Sequence, residues 1–178
     1  MTRMTSSPEP LHAVLAETAL GWAGVALSPS GIRYATLFHR TREACKGELS
    51  ACGADFEPDD RAGDIVHLLQ GYARGEVSLD DYPVDIPAGG QLQRRVWSAL
   101  RDVPRGETRS YGWLTRRIGE PPGAARAVGA AVGANPIPLW LPCHRIIGSD
   151  GSLHGFGGGL AMKQAILEAE GALPKSLL

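Results

Sequence analysis

The feature that most constrains this chain is a proline directly before a cysteine and a histidine, in the segment 141–147, Leu-Pro-Cys-His-Arg-Ile-Ile. Pro142 fixes its own φ, cannot lie in a helix interior and pushes Leu141 towards an extended conformation. Cys143 is therefore predicted to lie on a rigid turn or at a strand end. A thiol attacks as a thiolate, and a neutral imidazole is the usual group that removes its proton. Cys143 and His144 are thus a candidate nucleophile and base, and the alternative is a structural cysteine beside a surface histidine.

Charge is distributed unevenly along the 178 residues, although the net charge is only −1. Residues 1–89 carry 7 basic and 13 acidic side chains, whereas residues 90–145 carry 9 arginines and 3 acidic side chains. A basic segment of this kind is what phosphate binding uses. The alternative is an arginine-rich solvated helix.

The ends and the cysteines indicate the cellular setting. No stretch approaches about 18 consecutive apolar residues, so we predict no membrane span. Residues 1–10 lack the apolar core of a secretory signal and are predicted to form a flexible tail. Three cysteines are few and odd in number, which favours a reducing compartment, with the cytoplasm as the default.

The histidines and cysteines of the first 70 residues do not have the spacings of zinc sites. We therefore predict no metal and no cofactor. The residues concerned are His12, His39, Cys45, Cys52 and His67.

The first half of the sequence predicts a small α/β domain over residues 11–86. Two apolar runs, 20–28 and 32–38, flank a Pro- and Gly-containing turn and indicate a β-hairpin. A helical stripe follows in residues 59–74, and a short strand is predicted at 82–86. Residues 39–52 have a mixed, weakly helical pattern, and residues 87–90 form a linker. No chemistry is assigned to this domain.

The second half predicts a mainly α-helical domain over residues 91–173. Its first helix, residues 91–102, places Leu92, Val96, Trp97 and Leu100 on one buried face. Two short helices, 110–118 and 123–133, surround a tight turn within the basic segment and indicate a helix-turn-helix. The alternative is a helical hairpin formed only for packing.

The second of these short helices contains two glycines, Gly129 and Gly133, among small apolar residues. Glycine inside a helix costs about 1 kcal/mol relative to alanine, so something must require the missing side chains. One explanation is close packing of another helix. The other is a smooth face that lies in a nucleic-acid groove, with Arg126 as its one long charged side chain.

The last helix, from Leu160, carries a candidate partner for His144. Glu170 lies on the stripe of Met162 and Ile166, which points it inward, and an imidazole needs such a group to fix its tautomer. The alternative is a solvated charge near a helix C-terminus. Before this helix, residues 149–152 form a turn predicted to join short strands, and the glycines of residues 155–159 allow close approach of a ligand to the backbone.

The run of residues 126–163, with its Pro-Cys-His-Arg element, resembles the active-site region of the O6-alkylguanine-DNA alkyltransferases. These DNA-repair proteins move an alkyl group from a lesion onto their own cysteine. The spacing of the element to Asn135, to the Gly-Phe-Gly-Gly-Gly segment and to Glu170 also matches. The resemblance extends over about residues 92–171.

This resemblance implies a role for each matching residue. Cys143 would be the nucleophile, His144 its base through a water molecule, and Glu170 and Asn135 would orient the base and brace the turn. Relatives often carry Tyr-Ser where this chain has Phe-Gly at 156–157, so one hydroxyl contact is missing. The residues implied in DNA and base binding are Ser110, Tyr111, Arg126, Ile146, Phe156, Gly157 and Gly158.

The resemblance also implies the partner and the folds. The protein would act as a monomer on double-stranded DNA that contains O6-alkylguanine, bound through the minor groove, with the lesion extruded from the stack. Transfer to the cysteine would occur once per molecule, and O4-alkylthymine is left open as a further substrate. The N-terminal domain would be ribonuclease-H-like and the helical domain winged-helix-like. Two alternatives are a cysteine hydrolase with a Cys-His-Glu triad and a non-catalytic lesion-binding protein, although such binding proteins replace the cysteine that this chain keeps.

Overall fold

The computed structural model describes residues 10–175, so all but the last residue of the predicted tail lies outside the described residues. An α/β N-terminal half, residues 10–90, precedes a mainly helical C-terminal half, residues 91–175, as predicted. The N-terminal half comprises β1 His12–Thr18, β2 Gly21–Ser28, β3 Gly31–Ala35, α1 Arg42–Ala51 and α2 Ala62–Ala73. The C-terminal half comprises α3 Gln91–Leu100, β4 Arg109–Ser110, α4 Tyr111–Arg117, α5 Ala125–Gly133, β5 Ile146–Ile147 and α6 Leu160–Glu170, with 3-10 turns at Pro122–Ala124 and Cys143–Arg145.

The sheet of the N-terminal half is antiparallel in the order β1-β2-β3. The predicted hairpin is confirmed as β2 and β3, while β1, which pairs with β2 over its whole length, was not predicted. Successive strand residues point to opposite faces, and both faces here are apolar. Val14 packs into the main core with α2, whereas Leu15 packs with Leu49 of α1 on the other face. The two helices therefore cover opposite faces of the sheet.

The strand predicted at residues 82–86 is wrong in extent. Only Val84 forms a bridge, in parallel to Ile32 of β3. Ile32 donates to the carbonyl of Pro83 at 3.1 Å and accepts from Asp85 at 2.8 Å. Pro83 itself has no N–H to donate, which limits the pairing to this one residue.

The C-terminal half is built on the buried face predicted for α3. Val96 and Leu100 are fully buried, and α3 packs against α4 and α5. The indole Nε1 of Trp97 donates to the carbonyl of Ala131 in α5 at 2.9 Å. Helix α4 begins at an N-cap, because the Ser110 hydroxyl accepts from the backbone N–H of Trp113 at 3.0 Å. The two short helices predicted in the basic segment are confirmed as α4 and α5.

The turn predicted at residues 149–152 is present, but it does not join two strands. Gly148 donates to the carbonyl of Ser152 at 2.8 Å and accepts from Gly151 at 3.0 Å. The strand before the turn, β5, pairs in parallel with β4, and no strand follows the turn within the described chain. The glycine-rich residues 155–159 lead directly into α6 instead.

One continuous apolar core runs through both halves of the molecule. Helix α2 of the N-terminal half packs against α6 of the C-terminal half, which brings side chains of the two halves together beneath Cys143. The division into domains at residues 11–86 and 91–173 stays a prediction. Within residues 10–175, no helix combines the length and the apolar character that crossing a membrane requires.

Candidate active site

Pro142 forms the rigid turn that the sequence predicts. Its φ of −76° and ψ of 68° are those of an inverse γ-turn, and the N–H of Cys143 donates to the carbonyl of Leu141 at 2.7 Å. Cys143 then begins a 3-10 turn that continues to Arg145. Leu139, just upstream, has a φ of 75°, a strained conformation for a non-glycine residue that its fully buried side chain holds in place. The segment presents Cys143 from a firmly fixed backbone.

Asn135 braces this turn from the end of α5. Its side-chain amide donates to the carbonyl of Leu141 at 2.6 Å, and its Oδ1 accepts from the N–H of Ile137 at 2.9 Å. The C-cap residue of α5 is Ala134, so Asn135 lies one residue beyond the cap. These two contacts tie the end of α5 to the segment that leads into Cys143.

His144 and Glu170 lie in contact, and both are buried. His144 Nε2 is 3.0 Å from Glu170 Oε1. A carboxylate only accepts, so Nε2 carries a proton, and in the neutral form of the imidazole Nδ1 then holds the free lone pair. No described residue hydrogen-bonds to this buried Nδ1. A neutral imidazole with one nitrogen held and the other unpartnered is arranged to act as a base.

Glu170 is the centre of a buried cluster of hydrogen bonds. Arg145 donates to it through Nε at 2.9 Å and Nη2 at 2.8 Å, and the Tyr72 hydroxyl donates at 2.7 Å. Burial alone would raise the pKa of Glu170, but the neighbouring His144 and Arg145 outweigh it and hold the pKa well below its usual range. Glu170 is therefore ionised and positioned to orient His144.

Cys143 is nearly buried, and its environment does not itself produce a thiolate. Burial raises the pKa of the Cys143 thiol, although a hydrogen bond from Asn135 and the charge of Lys163 oppose that rise. A thiol with a raised pKa is protonated at neutral pH and needs a base to become a nucleophile. The arrangement thus requires the base that the neighbouring imidazole can supply.

Cys143 lies against a cavity of about 950 Å³. Its walls come from both halves of the molecule. The wall from the C-terminal half includes Tyr111, Gly129, Val132, Gly133, Asn135, Pro136, Pro138, His154, Gly155, Phe156, Gly157, Gly158 and Met162. The wall from the N-terminal half is formed by residues 34–40 with Glu48, Leu49 and Cys52.

The residues implied in base binding divide between this cavity and the core. Phe156, Gly157 and Gly158 line the cavity, and a side chain on either glycine would meet Leu37 across it. Ile146 does not line it, since its side chain is fully buried in β5. The Ile146 carbonyl is nevertheless part of the site, because it accepts from Lys163 Nζ at 2.6 Å. Sequence reasoning thus overlooked that Ile146 would lie in the core.

Tyr111 begins α4 and lines the cavity, and Ser110 precedes it as the N-cap of the helix. Burial raises the pKa of the Tyr111 phenol, and the proximity of Cys143 adds to the rise. Tyr111 is therefore a neutral hydroxyl facing the same space as the nucleophile. Ser110 caps α4 with its hydroxyl, which gives it a structural role beside any contact to DNA.

The glycines of α5 face open space. A Cβ added at Gly129 or Gly133 would meet nothing within 4 Å, so no helix packs against these positions. Arg126 projects from the same helix, is exposed, and has no ion-pair partner within residues 10–175. Of the two explanations for the glycines, the structure therefore excludes helix packing.

Three residues of the site were not assigned a role from the sequence. Arg145 lies in the Pro-Cys-His-Arg element, Tyr72 lies within the helical stripe of residues 59–74, and Lys163 ends the run of residues 126–163, but the sequence predicted no role for any of them. Lys163 lies seven residues before Glu170 on α6, so their shared face was the available signal. Lys163 Nζ also donates to the carbonyl of His154 at 2.9 Å, which ties the cavity wall to β5. No sequence signal connects Tyr72 to Glu170, 98 residues away.

Potential metal ligands do not gather elsewhere in the described residues. No group of three or more His, Cys, Asp or Glu side chains there could hold a metal ion. His12 pairs with Asp55 at 3.0 Å, and His39 pairs with Glu48 at 2.8 Å.

The family model and the relatives that this chain matches are all named for methyltransferases that act on methylated DNA. Residues 91–172 match the family model of 6-O-methylguanine DNA methyltransferase, DNA binding domain. The methylated-DNA–protein-cysteine methyltransferase of Mycolicibacterium paratuberculosis is 52% identical over 123 residues, which is 69% of this chain and 73% of that relative. The same-named protein of Mycobacterium bovis is 51% identical over 105 residues, or 59% of this chain and 62% of the relative. The chain thus spans somewhat less than two thirds of that second relative.

Solved structures are similar over nearly the whole chain. A crystal structure of Mycobacterium tuberculosis O6-methylguanine methyltransferase is 38% identical with a TM-score of 0.72, covering 91% of this chain and 93% of that one. A crystal structure of Mycobacterium tuberculosis OGT in complex with DNA is also 38% identical with a TM-score of 0.72, covering 90% and 93%.

Proposed function

This chain belongs to the methylated-DNA–protein-cysteine methyltransferase family, and from that premise we propose that it repairs O6-alkylguanine in DNA by direct transfer of the alkyl group to Cys143. The family predicted from the Pro-Cys-His-Arg element is confirmed by the relatives. Repair of DNA by an S-methyltransferase follows from that membership. The lesion and the roles of individual residues are our proposal.

The observation that carries the proposal is the geometry at the wall of the cavity. Cys143 lies on a fixed turn, next to an imidazole whose Nε2 is held by Glu170 at 3.0 Å and whose Nδ1 has no partner among the described residues. A protonated nucleophile thus lines a cavity with room for an extruded base, and the next residue in the chain is an oriented base.

The transfer needs no cofactor in this scheme. His144 takes the thiol proton of Cys143, directly or through a water molecule, and the sulfur attacks the alkyl carbon. A sulfur–carbon bond forms while the carbon–O6 bond breaks, and the electron pair stays on the guanine. The proton held by His144 is then available to restore neutral guanine. The thioether is a poor leaving group, so each molecule reacts once.

Access to the lesion requires that DNA be held and opened. The exposed arginines of the C-terminal half supply phosphate contacts, which carry no sequence information. The smooth face of α5 at Gly129 and Gly133 fits into the minor groove, and Arg126 fills the gap left by the extruded nucleotide. Tyr111 and the loop at residues 156–158 receive the extruded base.

We extend the proposal to the finer features of the fold. The three-stranded antiparallel sheet with helices on both faces supports a ribonuclease-H-like N-terminal domain. The α4–α5 pair supports a helix-turn-helix in a winged-helix-like domain. The monomeric state, the cytoplasmic location and activity on O4-alkylthymine stay predictions.

The two rival functions are not favoured. A cysteine hydrolase would release its product and turn over, whereas the relatives are named as transferases to a protein cysteine. A non-catalytic lesion-binding protein would have no use for Cys143 and its oriented base.

Intact-mass analysis after incubation with an O6-methylguanine oligonucleotide tests the proposal. We expect a gain of one methyl group per chain, located on Cys143, with guanine restored in the DNA. Repeated turnover, or a methyl group on Cys45, would refute it.

A further inference from the structure

A side chain from outside the C-terminal half reaches the group that orients His144. Tyr72 lies on α2 of the N-terminal half and is 1% exposed. Its hydroxyl donates to Glu170 Oε1 at 2.7 Å, and its oxygen is 3.4 Å from His144 Nε2. The carboxylate oxygen that contacts the imidazole is therefore also the oxygen that Tyr72 holds.

A buried tyrosine hydroxyl needs a partner, and a backbone carbonyl would satisfy it as well as a carboxylate does. Here the hydroxyl uses its one proton on Glu170, since that contact is the shorter of the two. The Tyr72 oxygen keeps its lone pairs, one of which faces the proton on His144 Nε2. The hydroxyl thus contacts both members of the pair without competing for the imidazole Nδ1.

The charged groups around the His144–Glu170 pair show why an uncharged donor to Glu170 matters. Arg145 neutralises Glu170 from one side and is itself shared with Asp80, through Nη1 at 2.9 Å. Lys163 is close enough to Cys143 for its charge to act on that thiol. Tyr72 therefore donates to Glu170 without bringing a positive charge, unlike Arg145. A hydroxyl that shares the negative charge of Glu170 limits how strongly the carboxylate stabilises an imidazolium.

We propose that Tyr72 is a positioning residue for alkyl transfer, supplied by the N-terminal half, which fixes the Glu170 carboxylate, limits how strongly that carboxylate stabilises an imidazolium and keeps His144 correctly turned. This inference rests on the proposed function, because it assigns Tyr72 to the same reaction. It gives the N-terminal half a part in the chemistry, although the nucleophile and the base both lie in the C-terminal half. Burial and the charge of Glu170 raise the pKa of Tyr72, so the phenol stays protonated and keeps its role as a donor.

Tyr72→Phe is the direct test, since it removes only the hydroxyl and keeps the ring in the core. Without this donor Glu170 should favour the imidazolium more, which makes His144 a poorer base at low pH. We expect the acidic limb of the pH–rate profile for methyl transfer to move to higher pH by several tenths of a unit. The rate near the limb should fall severalfold and recover at high pH. A purely structural role would lower the rate equally at all pH values, and that result would overturn the proposal, as would an unchanged profile.

Two controls separate action through Glu170 from loss of folding. Tyr82→Phe alters another partly buried tyrosine of the N-terminal half, whose ring packs on the core away from Glu170, and should leave the profile unchanged. If Tyr72 acts through Glu170, Tyr72→Phe should have little further effect in a Glu170→Gln background. Additive losses in the double variant would overturn the proposal.

An NMR experiment without substrate tests the role of Tyr72 separately from the proposed function. The ring-proton resonance of His144 Nε2–H, observed by NMR, reports its hydrogen bonds to Glu170 and Tyr72 without any substrate. We expect Tyr72→Phe to shift this resonance and Tyr82→Phe to leave it in place. Failure of the wild-type protein to accept a methyl group would refute the proposed function, whereas an unshifted resonance would refute the role of Tyr72.

Discussion

The two halves of the molecule each bury a cysteine, and only one of these thiols has the surroundings of a nucleophile. Cys45 in α1 of the N-terminal half is fully buried, and its sulfur lies 3.4 Å from the Thr36 hydroxyl. Burial raises the pKa of both Cys45 and Cys143. The difference lies in what adjoins them, because Cys143 lies beside the His144–Glu170 pair and faces a cavity. Burial alone leaves a thiol unreactive. An oriented base, together with a cavity through which a substrate can reach the sulfur, makes the thiol reactive.

The comparison extends to charge and surface. The N-terminal half is acidic and carries no predicted chemistry, while the C-terminal half carries the arginines that would contact DNA. Yet the N-terminal half supplies one wall of the cavity and the Tyr72 hydroxyl. The chemistry is therefore located in one half and supported from the other.

The largest difference is expected when each of the two cysteines is replaced in turn by a less reactive residue. Cys143→Ser should abolish methyl transfer, because a serine hydroxyl is far less nucleophilic and far harder to deprotonate than a thiol. Cys45→Ala should leave transfer intact, at a modest cost in stability from the lost side-chain volume. The mass of the protein after reaction with an O6-methylguanine oligonucleotide measures both. Residual methylation of Cys143→Ser on another residue would break the distinction between the two thiols.

The second prediction concerns a variant in which Cys143, like Cys45, has no oriented base beside it, because the negative charge of Glu170 is removed. Glu170→Gln keeps the shape of the side chain and removes its negative charge, so His144 is no longer held as a base. We expect the transfer rate to fall by about 10²- to 10⁴-fold. The measurement is single-turnover methyl transfer under excess protein, alongside the affinity for undamaged duplex, which should change little.

Glu168→Gln is the matched control, since it removes a carboxylate from the same helix at a partly exposed position, where Glu168 accepts from Gln164 at 2.8 Å. Its transfer rate should equal that of the wild type. Equal losses in both variants would mean that the net charge of α6, rather than orientation of His144, controls the rate.

Helical spacing in the sequence predicted those elements that bury one face and expose the other. The stripe on α3 and the inward position of Glu170 on α6 were both readable from helical spacing. Strand β1 was not, because both of its faces carry apolar residues, which therefore do not alternate with polar ones. The contact of Tyr72 with Glu170 and the cavity wall at Leu37 arise only when the two halves meet. Pairings across 98 residues of chain leave no trace in a single sequence.

A third prediction separates gripping DNA from opening it. If Arg126 fills the gap in the base stack, Arg126→Ala should slow repair of a lesion in duplex DNA severalfold. Reaction with the free base O6-benzylguanine should change little, because that substrate avoids the unstacking cost of a few kcal/mol. The ratio of the two rates in one variant is the measurement, and a loss of folding would lower both.

Arg116→Ala on α4 is the control for an exposed arginine that contacts only phosphate. It should weaken duplex binding and flatten its salt dependence without changing that ratio. The same pattern in Arg126→Ala would assign Arg126 to phosphate contact and remove it from extrusion.

The smallest effect concerns two glycines, one in each half, that occupy equivalent places in their helices. Gly129 lies in the middle of α5 and Gly47 in the middle of α1, and a Cβ at either would meet nothing within 4 Å. Alanine at either position should therefore stabilise the folded protein by up to about 1 kcal/mol, through helix propensity alone. Thermal or urea unfolding would measure this gain.

The two glycines should differ only when DNA is present. If α5 lies in the minor groove, the added methyl group of Gly129→Ala meets the wall of the groove, and affinity for an undamaged duplex should fall severalfold. Gly47→Ala should bind as the wild type does, since Gly47 lies in the acidic N-terminal half, outside the arginine-rich segment, and does not itself line the cavity. An undamaged duplex is the right probe because it does not require the cavity, which Gly129 also lines. If Gly129→Ala gains stability and keeps its full affinity, the glycine face of α5 is not the surface that enters the groove, and another face of the C-terminal half must hold the DNA.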